Sequence, residues 1–264
     1  MPNDCLITTL KSAVNNNAID KLGYYRIGVN IDSSVIDARR MIRIAHYDVS
    51  ASNHFIVNVI GGANKISVNN DFSSPTNQIN ITSQNASGTS IYLLEGTYEI
   101  EIFSKYKIKL IVIGSSTSYP NIFSTDLSYL KYGELEQLLL SGQKKVVGDI
   151  SVFSDMTTLT KLNLSSPSLN EGITGSILSL AKSTGLTELT LSYRSSVVGD
   201  VKDLAIAMYN NGAGRTSGTL TIVAQRSGLT YRDAEGKPDF SERSTSTTVI
   251  SFAAEGYTIT DNYA

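Results

Sequence analysis

A chain of 264 residues with 41% apolar side chains can bury one large core or two ordinary ones. Its net charge of -2 and pI near 5.7 supply no field that would hold nucleic acid or an anionic membrane surface. The single cysteine, Cys5, excludes an internal disulfide framework, and the longest apolar run, near 108–113, falls well short of the roughly 20 residues that span a bilayer, so no membrane insertion is expected.

Residues 1–11 lack the basic region and the continuous apolar region of a signal peptide, which predicts folding in the cytoplasm. Up to about residue 124 the chain reads as short strands between polar turns, with candidates at 6–10, 24–29, 41–47, 55–60, 65–68, 78–82 and 90–93. Gly61-Gly62, Asn69-Asn70-Asp71 and Ser87-Gly88 supply turn chemistry between them. Such close spacing without helical patterns predicts an antiparallel β-sandwich or jelly-roll-like domain. The sharpest alternation covers 98–114, with Tyr98, Ile100 and Ile102 on one face and Glu99 and Glu101 on the other. It predicts a hairpin in which Glu101 faces Lys107, Glu99 faces Lys109 and Ile100 pairs with Ile108.

A Ser/Thr/Pro stretch at 115–120 marks a junction, after which the chain becomes self-similar. Leu135-x-x-Leu138-x-Leu140, Leu159-x-x-Leu162-x-Leu164 and Leu186-x-x-Leu189-x-Leu191 recur, with a weaker Leu220-x-Ile222. The leading leucines stand 24 and then 27 residues apart, within the range of leucine-rich repeats. In each motif the last two leucines lie on one short strand and the remainder returns the chain one layer on. Apolar spacing at 176–184 (Ile177, Leu180, Ala181) and 201–211 (Val201, Leu204, Ala205, Met208) predicts helical return legs, hence parallel strands on one side and helices on the other. The polar stretch 230–246, followed by apolar runs at 249–252 and 256–259, predicts a capping element of two short strands. The expected organisation is an anchor segment (1–30), a β-sandwich (31–120), leucine-rich repeats (121–228) and a cap (229–264), a mainly β chain.

The repeats resemble leucine-rich repeats in which L-x-x-L-x-L precedes a G-x-I turn, here Gly148-Asp149-Ile150, Gly175-Ser176-Ile177 and Gly199-Asp200-Val201. They depart from longer forms in placing Ser141, Ser165 and Ser192 where an asparagine ladder would run. A second resemblance rests on the opening segment, Cys5-Leu-Ile-Thr-Thr-Leu-Lys and then Lys21-Leu-Gly-Tyr-Tyr-Arg-Ile27, followed by a β-domain and repeats. It looks like virion components of tailed phages of gut Bacteroidetes, including the crAss-like phages: head fibres, decoration proteins or tail-fibre parts. That resemblance implies a virion protein assembled in the host cytoplasm, anchored by its N-terminal region, with other virion proteins as partners. It also implies repeats exposed to a host surface glycan or protein. Many short strands available for pairing predict a homo-oligomer, a dimer or trimer. The alternative is a bacterial leucine-rich-repeat adhesion or interaction protein.

No motif for enzymatic chemistry stands out, and no cofactor or metal is expected. His46 and His54 have no metal-ligand spacing around them, and the glycine-rich run 212–218 lacks a Walker lysine and reads as a loop. Glu99 and Glu101 read as a solvated charge ladder rather than as the paired acids of a glycosidase. The trio Arg39, Arg40 and Arg43 reads as an exposed basic face. Outward positions on the repeat strands are Glu136, Gln137, Leu139, Thr160, Lys161, Asn163, Thr187, Glu188, Thr190, Thr219 and Thr221. With neighbouring Tyr193 they make a Thr-rich surface suited to hydrogen-bonding a glycan or protein, and Glu136, Gln137, Thr160, Lys161, Asn163, Thr187, Glu188, Thr190 and Tyr193 are the candidate binding residues.

Overall fold

The structure, a computed structural model, describes residues 23–31, 41–46, 55–68, 71–81, 89–104, 108–114, 123–130, 135–140, 145–165, 172–191, 196–211, 214–224, 228–230 and 246–263. The chain is mainly β: two large mixed sheets, of nine and ten strands, enclose one continuous apolar core, and neither closes into a barrel.

The first seven strands are β1 (Gly23–Ile31), β2 (Met41–His46), β3 (Phe55–Val59), β4 (Ile66–Val68), β5 (Gln78–Ile81), β6 (Thr89–Leu93) and β7 (Gly96–Ser104). Odd-numbered strands join the nine-stranded sheet in the order β1-β7-β3-β5, and even-numbered strands join the ten-stranded sheet in the order β2-β6-β4. Every connection therefore crosses from one sheet to the other, and the pairings are antiparallel. Inward positions alternate as a half-buried strand requires: Tyr25, Ile27 and Val29 on β1, Ile42 and Ile44 on β2, Ile100 and Ile102 on β7 are all buried. These strands meet the expectations at 24–29, 41–47, 55–60, 65–68, 78–82 and 90–93, while the candidate at 6–10 lies outside the described residues.

The expected hairpin at 98–114 does not form. β7 pairs with β1 and β3, whereas β8 (Ile108–Gly114) lies in the other sheet beside β2. Ile100 and Ile102 of β7 and Ile111 of β8 are all buried, so the chain passes from one sheet to the other between them instead of folding back on itself. The ladder read for Glu99 and Glu101 changes accordingly. Glu99 forms an ion pair with Arg26 of β1, and Glu101, only 6% exposed, accepts a hydrogen bond from Asn58 Nδ2 of β3 at 3.3 Å.

From β8 onward the chain becomes a coil that places one strand in each sheet per turn. The ten-stranded sheet receives β8, β10 (Gln137–Leu139), β12 (Lys161–Leu164), β14 (Glu188–Leu191) and β16 (Thr219–Ala224). The nine-stranded sheet receives β9 (Phe123–Asp126), β11 (Lys145–Asp149), β13 (Gly172–Ser176), β15 (Ser196–Asp200) and β17 (Gly228–Thr230). All neighbours within each series are parallel, and β9 joins β1 antiparallel, so the coil grows directly out of the first sheet. At that joint the buried Tyr25 hydroxyl donates to Thr125 Oγ1 at 3.1 Å, and burial pushes the phenol's pKa up.

The leucine spacing translates into register: Ile111, Leu138, Leu162, Leu189 and Ile222 pair successively across the ten-stranded sheet, all buried. Of the two return legs expected to be helical, the one at 176–184 is not a helix. Ile177, Leu180 and Ala181 belong to a leg made of β13 followed by the 3-10 turn Ile177–Leu180, and the same pattern recurs at Leu127–Leu130 and Ile150–Phe153. Such legs are too short a stretch to sustain an α-helix, and β9, β11 and β13 build a second parallel series in their place, with Gly148 and Gly175 at positive φ just before two of the three turns. Among the described residues only Val201–Asn210, helix α1, has the length, burying Val201, Leu204, Ala205 and Met208 as the spacing at 201–211 predicts.

The polar tail supplies a hairpin, β18 (Ser246–Ala253) and β19 (Gly256–Tyr263), laid antiparallel on β16. Its attachment depends on Arg215, in the glycine-rich loop between α1 and β16. Arg215 is 6% exposed: Nη1 donates to the Leu186 carbonyl, Nη2 to the Thr219 carbonyl at 2.6 Å and Nε to the Ser217 carbonyl at 3.4 Å, while the guanidinium sits 4.5 Å from the Phe252 ring centroid. Desolvation lowers its pKa from the usual arginine value, yet the carbonyl set and ring face match a planar cation. Arg215→Lys is expected to lower the unfolding free energy by about 2 kcal/mol, because an ammonium cannot reach three carbonyls and stack at once. Guanidinium unfolding of the two proteins measures it.

Candidate interaction surface

The outward side chains of the parallel strands in the ten-stranded sheet form two rows that follow the strand register. Gln137, Lys161, Glu188 and Thr221 make the first, and Leu139, Asn163, Thr190 and Val223 the second. With strands about 4.8 Å apart, four positions extend each row over about 14 Å. Lys161 Nζ contacts Glu188 Oε1 at 2.6 Å, and both side chains are well exposed, so the pair orients the surface more than it stabilises the fold. Asn163 Oδ1 accepts from the Ser165 amide at 2.9 Å and from its hydroxyl at 2.5 Å, closing the strand end locally.

Thr160 and Thr187 serve the coil itself. Thr160 Oγ1 donates to the Glu136 carbonyl at 3.0 Å and Thr187 Oγ1 to the Thr160 carbonyl at 3.1 Å, so each hydroxyl ties its turn to the one before. Thr158 does the same toward Leu135 at 3.1 Å, and the buried Ser183 hydroxyl reaches the Met156 carbonyl at 2.8 Å. These hydroxyls tie successive turns of the coil together at the level of the backbone. Sequence reasoning missed them because they link residues a full turn apart. The hydroxyl hydrogens of Thr160 and Thr187 are committed, which leaves the side chains of Glu136, Gln137, Lys161, Asn163, Glu188 and Thr190 as the candidate surface groups. Tyr193 lies outside the described residues, as do Arg39 and Arg40.

On the opposite sheet the residue just before each 3-10 turn, and before α1, carries a capping side chain. Asp126 Oδ1 accepts the Ser128 amide at 2.9 Å, Asp149 Oδ1 the Ser151 amide at 2.8 Å, Ser176 Oγ the Leu178 amide at 3.3 Å and Asp200 Oδ1 the Lys202 amide at 2.7 Å. Asp149 Oδ2 also accepts from Thr174 Oγ1 at 3.2 Å. The Ser151 amide, then the Ser151 side chain and Thr174, hold the Asp149 carboxyl below its usual 3.8. A depressed folded-state pKa means a stabilisation complete at neutral pH and lost as pH falls below 3.8 toward the folded value. Asp149→Asn, which keeps a capping oxygen without the charge, is therefore expected to flatten the acid limb of stability below about pH 5, as read by thermal unfolding across pH.

An open depression of about 300 Å³ lies where the antiparallel and parallel parts of the nine-stranded sheet meet, lined by Arg26, Gly28, Glu99, Ser124, Thr125, Asp126 and Val147. Its cation is committed to the Arg26–Glu99 ion pair. Among the described residues no three His, Cys, Asp or Glu side chains gather to hold a metal ion, and no helix is long and apolar enough to cross a membrane.

Fold and surface together define a mainly β chain whose two mixed sheets share one core and expose side chains in rows set by the strand register. No protein family, curated protein or solved structure matches it.

Proposed function

We propose that the chain is a jelly-roll-like β-sandwich running into a short leucine-rich-repeat solenoid, and that it is a structural protein of a bacteriophage virion: a head-fibre, decoration or tail-fibre component. The observation that carries the reading is the junction, where β8 and β9 extend both sheets of the antiparallel part directly into the coil. A joint shared by two sheets resists bending, which suits a part that projects from a particle. The order β1-β7-β3-β5 opposite β2-β6-β4 is the strand alternation of a jelly roll with one strand fewer, an architecture used by capsid and lectin domains. The phage assignment itself comes from the resemblance of the opening segment.

On this reading the protein is no enzyme. Its N-terminal region anchors it to other virion proteins, and the rows around Lys161, Asn163, Glu188 and Thr190 contact neighbouring subunits or a host surface glycan or protein. Particles are assembled in the host cytoplasm. Mass spectrometry of purified particles is expected to find this chain in amounts comparable to other structural proteins, and particles lacking it would overturn the proposal.

A further inference from the structure

Four strands end the two sheets, and one differs from the rest. β4, β5 and β17 run for 3, 4 and 3 residues, whereas β19 runs for 8 and pairs with β18 in unbroken register from Gly256 to Tyr263. Among the described residues nothing pairs with its outer side. Shortness, charge, proline or a bulge normally keeps an edge from recruiting another strand. Shortness guards three of these edges. The sequence of β19, Gly-Tyr-Thr-Ile-Thr-Asp-Asn-Tyr, contains no lysine, arginine or proline, its register shows no bulge, and its aromatic and β-branched residues favour strand pairing.

We propose that β19 is the interface of a homodimer in which a second copy adds its own β19 antiparallel across a two-fold axis, joining two ten-stranded sheets into one. The sequence of the strand supports a second copy as the occupant, because it matches itself. An axis normal to the sheet, midway between the two strands and level with Ile259, sets Ile259 against Ile259, Thr258 against Thr260 and Tyr257 against Asp261. Level with Thr260 it sets Thr260 against its copy, Ile259 against Asp261 and Thr258 against Asn262. In both registers the strand's only charge, Asp261, opposes an uncharged residue, so no like charges meet. Tyr257 and Ile259 pack partly buried against the core at this open end, and the copy's equivalent residues would cover them.

Light scattering coupled to size exclusion, over a wide range of concentrations of the full chain, tests the proposal. The wild type is expected to pass from 28.5 kDa to twice that mass as concentration rises. Thr258 and Thr260 are exposed in the single chain, so T258K/T260K leaves the fold and its melting temperature unchanged while setting lysines across the axis. Dimerisation of that variant is expected to weaken at least about tenfold. Amide exchange supplies a second readout, with residues 256–263 expected to slow as concentration rises. A wild type that stays monomeric would overturn the proposal and leave the edge to a strand from a different protein. So would a T258K/T260K dimer as tight as the wild type. The interface is independent of the virion assignment: a dimer can form whether or not particles contain the chain.

Discussion

Leu189→Ala is expected to cost about 3–4 kcal/mol in chemical unfolding, near the upper part of the range for large-to-small core changes. Leu189 is fully buried and lies in register between Leu162 and Ile222, on a strand hydrogen-bonded on both sides. Neighbouring strands hold its backbone in place, so the cavity cannot close by local collapse. Thr190, the next residue along and facing outward, provides the contrast: Thr190→Ala is expected to change stability by less than about 0.5 kcal/mol. Equal losses at the two positions would mean that the strand does not present alternate residues to core and solvent.

The second large effect is expected at Gly175, where two constraints coincide. Its φ of +108° is a conformation that side-chain-bearing residues rarely adopt, and a Cβ there would lie 2.4 Å from Asp149 Oδ1 of the preceding turn. Backbone strain of about 1–2 kcal/mol and a clash of similar size put Gly175→Ala at about 3 kcal/mol. Gly61 isolates the first contribution, since its φ is +87° but nothing lies within 4 Å of the added Cβ, and Gly61→Ala is expected to cost only about 1 kcal/mol. Asp149→Ala removes the clashing carboxylate. In a double-mutant cycle it should recover part of the Gly175→Ala loss, and strict additivity would place the two residues apart.

The leucines showed the coil's register in advance because buried positions repeat with the turn, and turn length is fixed by how many residues encircle the core. What went unread was which backbone conformation closes each turn. Ile177, Leu180 and Ala181 satisfy helical spacing, yet the same three positions fit a strand followed by one 3-10 turn, and periodicity over so short a span does not separate them. The glycine of each G-x-I motif was the better signal, marking a backbone bend and a close approach between turns.

At 98–114 the charges misled. Glu99 and Glu101 match lysines nearby in sequence, but their partners Arg26 and Asn58 come from distant strands, and local complementarity cannot tell a hairpin from a crossing between sheets. Arg215 carried no local signal at all, since a lone arginine in a glycine-rich loop becomes an anchor only when Leu186, Thr219 and Phe252 converge on it. Of the candidate surface, the outward pattern of the strands was legible, while the commitment of the Thr160 and Thr187 hydroxyls depended on pairing one turn away.

The antiparallel part and the coil are one body, built on two shared sheets and one continuous core. Differential scanning calorimetry of the full chain tests it most directly. A shared core predicts a single transition whose van't Hoff and calorimetric enthalpies agree, shifted as a whole by Ile27→Ala in the antiparallel part and by Leu189→Ala in the coil. Two separable transitions, each moved by only one of these substitutions, would contradict it.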